Sequence, residues 1–175
     1  MSIKIIAAVS INGVIGNSSL GKLPWVCPEE MAFFREQTIN KVVVFGRKTA
    51  EEVGALKGRV CIVITSKVGY ELEGFETLTL EKFLALNEKS FKTEYFVCGG
   101  ASLYKATMPY ASLAVISYLD FEAYGDIMMP ELDRNSWRKM GQIDKSRFTA
   151  VQFVNSNRTV YSKILSNKSL NNKKG

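Results

Sequence analysis

Short apolar runs rich in β-branched residues alternate with helix-like segments along most of this 175-residue chain. Several runs, such as "KVVVFG" and "VCIVIT", are almost continuously apolar, which is typical of strands covered on both faces. We predict strands over residues 3–9, 41–46, 60–65, 94–99 and 113–119, and helices over 28–38, 48–53, 80–86 and 101–108. This alternation predicts an α/β domain with a central, mostly parallel twisted sheet flanked by helices.

The end of the chain departs from this alternation. Two strand-like segments, residues 147–155 and 157–165, meet at "NSN", and this pattern predicts a closing antiparallel hairpin. No repeat or linker interrupts residues 1–165, so we expect them to form a single domain. Residues 166–175 contain three lysines and no acidic residue, a composition that predicts a disordered polar tail.

The composition excludes several kinds of catalysis. The chain contains no histidine, which rules out Ser-His-Asp and Cys-His mechanisms as well as histidine-ligated zinc. Cys27, Cys61 and Cys98 are far apart in the sequence and have apolar neighbours, as expected of buried, inert thiols. We therefore expect no metal, and any acid or base must be Asp, Glu, Lys, Tyr, Cys or water.

The net charge of +6 is partly terminal, since residues 1–165 hold 20 basic and 17 acidic residues, which leaves +3. A charge of this size fits an anionic small ligand as well as a polynucleotide. No apolar run approaches the roughly 20 residues of a membrane span, and Asn12 and Gly13 interrupt the N-terminal segment too early for a signal peptide. We expect a cytoplasmic protein.

Three strand-to-helix junctions carry residues that suit phosphate binding. "GRKT" follows the second strand, "TSK" the third and "GGAS" a later one. Glycine lets the backbone approach a ligand, a helix start offers N–H groups, and Arg or Lys beside hydroxyls binds phosphate oxygens. Each junction alone could be a turn glycine with a capping hydroxyl. Three at the carboxyl edge of one sheet predict a ligand with several phosphates, such as a dinucleotide, although neither G-x-G-x-x-G nor a Walker A sequence is present.

Two adjacent glutamates begin the predicted helix over residues 28–38. At about 100° per residue, Glu30 falls between Phe33 and Phe34, whereas Glu29 falls on the polar face. An inward carboxylate without a partner is costly, but beside aromatic rings it suits a flat heterocycle with N–H groups, and burial would raise its pKa. For Glu29 we expect only a favourable charge at the helix start, and for Glu30 the helix geometry leaves both interpretations open.

Beyond these local patterns, an ordered series of blocks resembles the dihydrofolate reductase family over residues 3–165. The blocks are "IAAVSINGVIG", "LPW", an acid on the next helix with Phe34 four residues later, "GRKT", "GR" before "VCIVITS", "VCGGASLY" and "EAYGDIMMP". The resemblance implies NADPH-dependent reduction of 7,8-dihydrofolate to 5,6,7,8-tetrahydrofolate, with hydride transfer to C6 and protonation at N5. A hydride transfer requires no nucleophile and no histidine, which agrees with the residues available.

The resemblance also implies roles around the substrate. Glu30 would be the single active-site carboxylate, holding the amino and ring N–H groups of the pteridine and promoting protonation of N5. Ser117 would support this acid through a hydroxyl, and Leu23 and Trp25 would belong to the mobile loop that closes over the nicotinamide. Arg59 matches the arginine that binds the α-carboxylate of the substrate's glutamate. The other positions implied at the pterin and benzoyl pocket are Ile6, Ala7, Met31, Phe34, Val53, Leu56, Cys98 and Tyr104.

For the cofactor, the resemblance assigns the three junctions to NADPH. It places a first phosphate segment at Gly46, Arg47, Lys48 and Thr49, and a segment around the 2′-phosphate, which would favour NADPH over NADH, at Thr65, Ser66 and Lys67. Gly99 and Gly100 match a pair whose peptide is cis in the family. The pyrophosphate side would include Ala101, Ser102 and Leu103, and the nicotinamide end Ala8, Ile15, Gly16, Cys98 and Tyr104.

Two departures and two alternatives accompany this interpretation. The segment "GNSSLGKLPW" is longer than in many bacterial members, and Ala50 stands where an aromatic residue is common. A related pyrimidine reductase of riboflavin synthesis would share the cofactor junctions but lack the inward acid and the Arg59 site. A basic nucleic-acid binding module would need a contiguous cationic face with aromatic residues. We expect a monomer that binds dihydrofolate and neither nucleic acid nor membranes.

Overall fold

The computed structural model describes residues 2–89 and 93–157, without the side chains of residues 87–89. Ten strands and four α-helices occur in this part of the chain. The strands are β1 (Ser2–Val9), β2 (Val14–Gly16), β3 (Val42–Gly46), β4 (Val60–Ile64), β5 (Phe75–Leu78), β6 (Glu94–Val97), β7 (Leu113–Leu119), β8 (Ile127–Met128), β9 (Trp137–Asp144) and β10 (Phe148–Asn155). The helices are α1 (Pro28–Thr38), α2 (Arg47–Val53), α3 (Leu80–Lys89) and α4 (Ala101–Thr107), and a 3₁₀ helix spans Met108–Tyr110.

Eight of these strands form one sheet in the order β5-β4-β3-β6-β1-β7-β10-β9, and β2 pairs with β8 in a separate small sheet. All neighbours from β5 to β7 are parallel, whereas β10 is antiparallel to both β7 and β9. Parallel pairing requires crossovers, which α2, α3 and α4 supply between strands. The predicted α/β class with a mostly parallel central sheet is therefore confirmed.

The apolar strands are buried because side chains on both faces of the sheet pack into cores. Along β1, Ile3 and Ile5 belong to one cluster of buried residues and Ile6 to the other, as the two-residue period of a strand requires. On the first face, α3 contributes Phe83; on the second, α1 contributes Phe33. The near-continuous apolar runs thus reflect strands that are covered twice.

The closing hairpin is present, but one of its two strands is not the predicted one. Strand β10 pairs with β9, which precedes it, in an antiparallel ladder. The sequence does not predict β9 as a strand, because Trp137 is its one fully buried side chain and the remainder "RKMGQID" is polar and mostly exposed. Residues 158–165 of the predicted second strand, and the tail at 166–175, lie outside the described residues.

Within the described residues, no helix has the length and apolar character needed to cross a lipid bilayer. All three cysteines are free thiols, with Cys27 and Cys61 buried and Cys98 half-buried. Burial raises the pKa of the Cys98 thiol above its usual range, so this thiol is not a ready nucleophile. No group of three or more Cys, Asp or Glu side chains in the described part could hold a metal ion.

Candidate active site

The sheet brings the three glycine- and hydroxyl-bearing junctions to a single edge. Strands β4, β3 and β6 are neighbours and run parallel, so their carboxyl ends open on the same side. "GRKT" begins at the end of β3, "TSK" follows β4 and "GGAS" follows β6. In open α/β sheets this edge is where ligands bind.

Glycine is required where the junctions after β3 and β6 meet. The Gly46 amide donates to the Gly99 carbonyl at 2.7 Å, and the Gly99–Gly100 peptide is cis, as the family resemblance implies. A Cβ atom on Gly100 would lie 3.0 Å from the Thr49 hydroxyl oxygen, closer than ordinary packing allows. Gly99 has a φ of 124°, which side chains rarely adopt. The two junctions therefore form a narrow backbone cradle that larger residues would fill.

Glu30 lies in the first turn of α1, which Pro28 begins, a position that suits proline because its missing N–H has no partner there. The residue is only 7% exposed, and its carboxylate makes no hydrogen bond or ion pair of regular geometry within the described residues. Burial is the main effect on Glu30 and raises its pKa, while the Ser117 hydroxyl opposes this shift. The inward direction predicted from the helix period is thus what the structure shows.

Two polar groups that interact with Glu30 come from β7 and α4. Ser117 lies beside Ala8 in the parallel register of β7 and β1, and its Oγ has no hydrogen-bond partner of regular geometry among the described residues. The hydroxyl still lies near enough to lower the pKa of Glu30. The Tyr104 hydroxyl donates to the Ile6 carbonyl at 2.8 Å, and the pKa of Tyr104 is raised, mainly by burial and partly by Glu30. The buried carboxyl group of Glu30 and the Ser117 hydroxyl, neither of which has a hydrogen-bond partner of regular geometry among the described residues, are thus available to a ligand.

Replacing Ser117 with alanine is expected to raise the pKa of Glu30 further, because burial would then act without the opposing hydroxyl. The titration can be followed by the carboxyl carbon chemical shift of Glu30 in labelled protein. Ser117→Thr keeps the hydroxyl and should keep the wild-type titration. A Glu30 titration that is the same in Ser117→Ala and wild type would contradict this role of Ser117.

Arg59 is a cation held in place by a hydroxyl, a carbonyl and an aromatic ring. Its Nε donates to the Thr38 hydroxyl at 3.0 Å and its Nη1 to the Lys57 carbonyl at 3.2 Å. The guanidinium also lies 5.9 Å from the ring centre of Phe34, a distance typical of cation–π contacts. No ion pair involves Arg59 within the described residues, and Nη2 makes no hydrogen bond there. The arginine therefore offers oriented donors to an anionic group of a ligand.

The remaining predicted residues differ in how far they are buried. Ile6 and Ala7 are buried in β1, and Ala8, Phe34 and Leu56 are half-buried. By contrast, Met31 and Val53 are 59% and 45% exposed. Ile15 and Gly16 lie in β2. Exposed side chains at the cofactor junctions are those of Lys48, Ser66, Lys67 and Ser102, while Leu103 is buried and Thr49, Thr65 and Ala101 are half-buried.

Leu23 and Trp25 lie on the segment between β2 and α1. Trp25 is half-buried and packs edge-on against Phe121, with ring centroids 6.4 Å apart, whereas Leu23 is 51% exposed. The same segment is tied to the chain after β7, because the Ser18 amide donates to Asp126 at 2.8 Å. Two open cavities lie elsewhere in the described part of the chain. One, of about 640 Å³, is lined by residues of the 69–77 segment, and the other, of about 280 Å³, by residues 40–42 and 93–94. Neither includes a predicted site residue.

The sequence patterns did not indicate three residues that hold predicted site residues in place: Thr38, Glu51 and Tyr70. Thr38 orients Arg59 through a hydrogen bond. Glu51 contacts Arg47 directly, and Tyr70 donates a hydrogen bond to Glu51. Glu29 lies toward solvent, as predicted, but also accepts hydrogen bonds from the Ser146 hydroxyl at 2.8 Å and the Arg147 amide at 3.1 Å. These bonds lower the pKa of Glu29. The Arg47–Glu51 pair has an (i, i+4) spacing that the sequence does contain; the other contacts join segments far apart in the chain.

Comparison with known proteins gives a consistent result. The sequence model of the dihydrofolate reductase family matches residues 2–159. Dihydrofolate reductase of Neisseria gonorrhoeae is 38% identical over 160 residues, which cover 88% of this chain and 96% of that protein. The enzyme of Bacillus subtilis is 35% identical over 137 residues, covering 78% and 80%. The solved structure of dihydrofolate reductase from Enterococcus faecalis, complexed with NADP(H) and RAB-propyl, has a TM-score of 0.80 and 28% identity, covering 89% of this chain and 96% of that one.

Proposed function

The chain belongs to the dihydrofolate reductase family, and we infer that it reduces 7,8-dihydrofolate to 5,6,7,8-tetrahydrofolate with NADPH. The observation that carries this conclusion is Glu30, a buried carboxyl group with a raised pKa and no regular partner in the described residues. Such a group is costly to keep unless a ligand supplies its hydrogen bonds.

Glu30 would accept hydrogen bonds from the amino and ring N–H groups of the pteridine and promote protonation at N5, while C6 receives the hydride. Ser117 supplies a hydroxyl beside it. Ile6, Ala7 and Leu56 would pack against the flat ring system, together with Phe34. Arg59, which is held by Thr38, would bind the α-carboxylate of the substrate's glutamate, since a planar guanidinium matches a carboxylate with two parallel hydrogen bonds.

The residues at the carboxyl edge of the sheet fit NADPH. When bound, the cofactor supplies the hydride. The backbone cradle of Gly46, Gly99 and Gly100 leaves room for a close approach that a Cβ atom at Gly100 would obstruct. Arg47, Lys48 and Lys67 would face the phosphates, with Thr49, Thr65, Ser66 and Ser102 as hydroxyl donors.

The nicotinamide end of the cofactor would be surrounded by Ala8, Ile15, Gly16, Cys98 and Tyr104. Leu23 and Trp25 would help to exclude water from it.

The pyrimidine reductase alternative is disfavoured because this chain has both features that such an enzyme should lack, the inward acid and the oriented arginine. Glu30 is directed inward, and Arg59 has hydrogen bonds that orient it while no acid among the described residues pairs with it. A nucleic-acid binding module has no support among the relatives, which are named as dihydrofolate reductases.

The activity is tested by following the loss of NADPH absorbance with dihydrofolate as acceptor. We expect oxidation of one NADPH for each dihydrofolate, and much slower oxidation of NADH because the 2′-phosphate contacts would be missing. A deaminated ribosylamino-pyrimidine, in the same assay, should leave NADPH unchanged. Oxidation with the pyrimidine and none with dihydrofolate would overturn the proposal in favour of the alternative reductase.

We also propose that residues 1–165 form a single domain followed by a polar tail at 166–175, and that the protein is a cytoplasmic monomer of one-carbon metabolism. It would bind neither nucleic acid nor membranes. The hairpin of β9 and β10 supports a continuous domain, since β10 is an interior strand of the same sheet as β1. Size-exclusion chromatography with light scattering would reveal a dimer.

A further inference from the structure

Arg47, the first residue of α2, belongs to a network of three side chains with Glu51 and Tyr70. The Nη1 of Arg47 lies 2.9 Å from both carboxylate oxygens of Glu51, one helical turn later. The Tyr70 hydroxyl donates to Oε1 of Glu51 at 2.8 Å. Glu51 is thus held between a cation on its own helix and a hydroxyl on the segment after β4.

This network joins two of the three phosphate junctions. Arg47 belongs to "GRKT" after β3, and Tyr70 comes three residues after Lys67, the last residue of "TSK" after β4. Lys67 is near enough for its charge to lower the pKa of Glu51, although the hydrogen bonds from Tyr70 and Arg47 are the larger causes. Through Glu51, Arg47 is therefore fixed to the segment assigned to the 2′-phosphate.

The network leaves part of the guanidinium available. Only Nη1 of Arg47 is engaged, and Nε and Nη2 make no hydrogen bond within the described residues. The Arg47 side chain is 27% exposed, so an anion can reach it. A long flexible side chain that is already held in one geometry loses less conformational freedom when it binds an anion. The Tyr70 hydroxyl also fixes Glu51, which would otherwise be free to swing its negative charge toward the ligand.

We propose that Arg47, although it belongs to the junction after β3, also reaches the 2′-phosphate bound at the junction after β4, and that Tyr70 and Glu51 are positioning residues that hold it there and thereby favour NADPH over NADH. The proposal rests on the proposed function for the identity of the cofactor. Neither residue contacts the reacting atoms, and both act through Arg47.

The test is the substitution Tyr70→Phe, which removes one hydroxyl and no charge. Loss of one hydrogen bond to a carboxylate is expected to raise the KM for NADPH about threefold to tenfold. The KM for NADH, the KM for dihydrofolate and kcat should stay within about twofold of wild type, a normal margin for a site that these ligands do not use. Tyr110→Phe, at a tyrosine with an exposed ring outside the network, is the matched control and should match wild type throughout.

A double-mutant cycle separates positioning from general loosening. In an Arg47→Ala background, Tyr70→Phe should no longer change the KM for NADPH, because contacting residues are coupled rather than additive. An equal effect of Tyr70→Phe with and without Arg47, or an equal effect on NADPH and NADH, would overturn the proposal. The affinities of all four proteins in the cycle for NADPH and NADH can also be measured without substrate, by quenching of tryptophan fluorescence. A protein that binds NADPH in this way but does not reduce dihydrofolate would contradict the proposed function and leave this inference intact.

Discussion

Replacing Glu30 with glutamine is expected to lower kcat at pH 7 by about 10²–10⁴-fold, the range that a positioned acid or base contributes. Binding of NADPH should stay near wild type, because the cofactor junctions follow β3, β4 and β6 rather than α1. The measurement is the pH dependence of NADPH oxidation with dihydrofolate. Activity of the variant should partly recover in acid, as the substrate then becomes protonated without help from the enzyme.

The physical reason lies in what glutamine keeps and what it loses. The side chain has nearly the same shape and fills the same buried position, but it carries no negative charge. It can no longer accept two hydrogen bonds from the pteridine or favour a proton at N5 electrostatically. The loss should therefore appear in kcat at neutral pH more than in the KM for either ligand.

The same substitution should also change stability, and the sign follows from the pKa shift. Burial raises the pKa of Glu30 in the folded state, so the folded protein binds this proton more tightly than the unfolded chain does. Ionised Glu30 therefore destabilises the fold at neutral pH, and this cost disappears once the pH falls below the ordinary glutamate pKa. Glu30→Gln should accordingly have a higher Tm than wild type at pH 7, with the difference shrinking in acid.

Glu29→Gln is the matched control, since it alters the neighbouring glutamate on the same helical turn. Glu29 accepts hydrogen bonds from the turn between β9 and β10 and lies away from the buried face. We expect its kcat and pH profile to stay close to wild type. Turnover of Glu30→Gln equal to wild type at pH 7 would falsify the assigned role.

The sheet was predictable because its signal is local. Strands β1, β3, β4, β6 and β7 have ends within two residues of the predicted ones, and α1 has the predicted bounds. Each of these strands is buried on both faces, so β-branched runs mark it in the sequence without any knowledge of its neighbours. The inward direction of the Glu30 side chain was predictable for the same reason, since the helix period assigns each side chain to one face from the sequence alone.

The missed elements carry weaker local signals. Strand β9 lies at the edge of the sheet and shows one buried side chain, Trp137, and β5 has only four residues, none of them fully buried. Neither pattern shows the apolar alternation that identifies a strand. Their positions depend on tertiary pairing with β10 and β4, which overrides local propensity.

The contacts that orient the site are non-local, which is why residue patterns did not give them. Thr38 and Arg59 are 21 residues apart in the chain, and Glu51 and Tyr70 are 19 apart. Each pair joins a helix to a loop, and no periodicity relates the two partners. The sequence can thus indicate which groups are unusual, while the fold determines which of them are held in one geometry.

Arg59→Ala is expected to raise the KM for dihydrofolate about 10- to 150-fold, corresponding to about 1.5–3 kcal/mol for hydrogen bonds to a charged group. The KM for NADPH should change little. The effect should be large because Arg59 is already oriented by Thr38, Lys57 and Phe34, so little conformational freedom remains to be lost when a carboxylate binds.

Arg59→Lys tests whether charge alone suffices. Lysine keeps the positive charge but cannot donate to Thr38, Lys57 and a carboxylate in one planar arrangement, so it should recover only part of the loss. A dihydropterin without the glutamate has no carboxylate for Arg59 to bind, and its KM should be the same in Arg59→Ala and wild type. If Arg59→Ala weakens that truncated substrate as much as dihydrofolate, or affects NADPH equally, then the arginine shapes the pocket rather than binding the carboxylate.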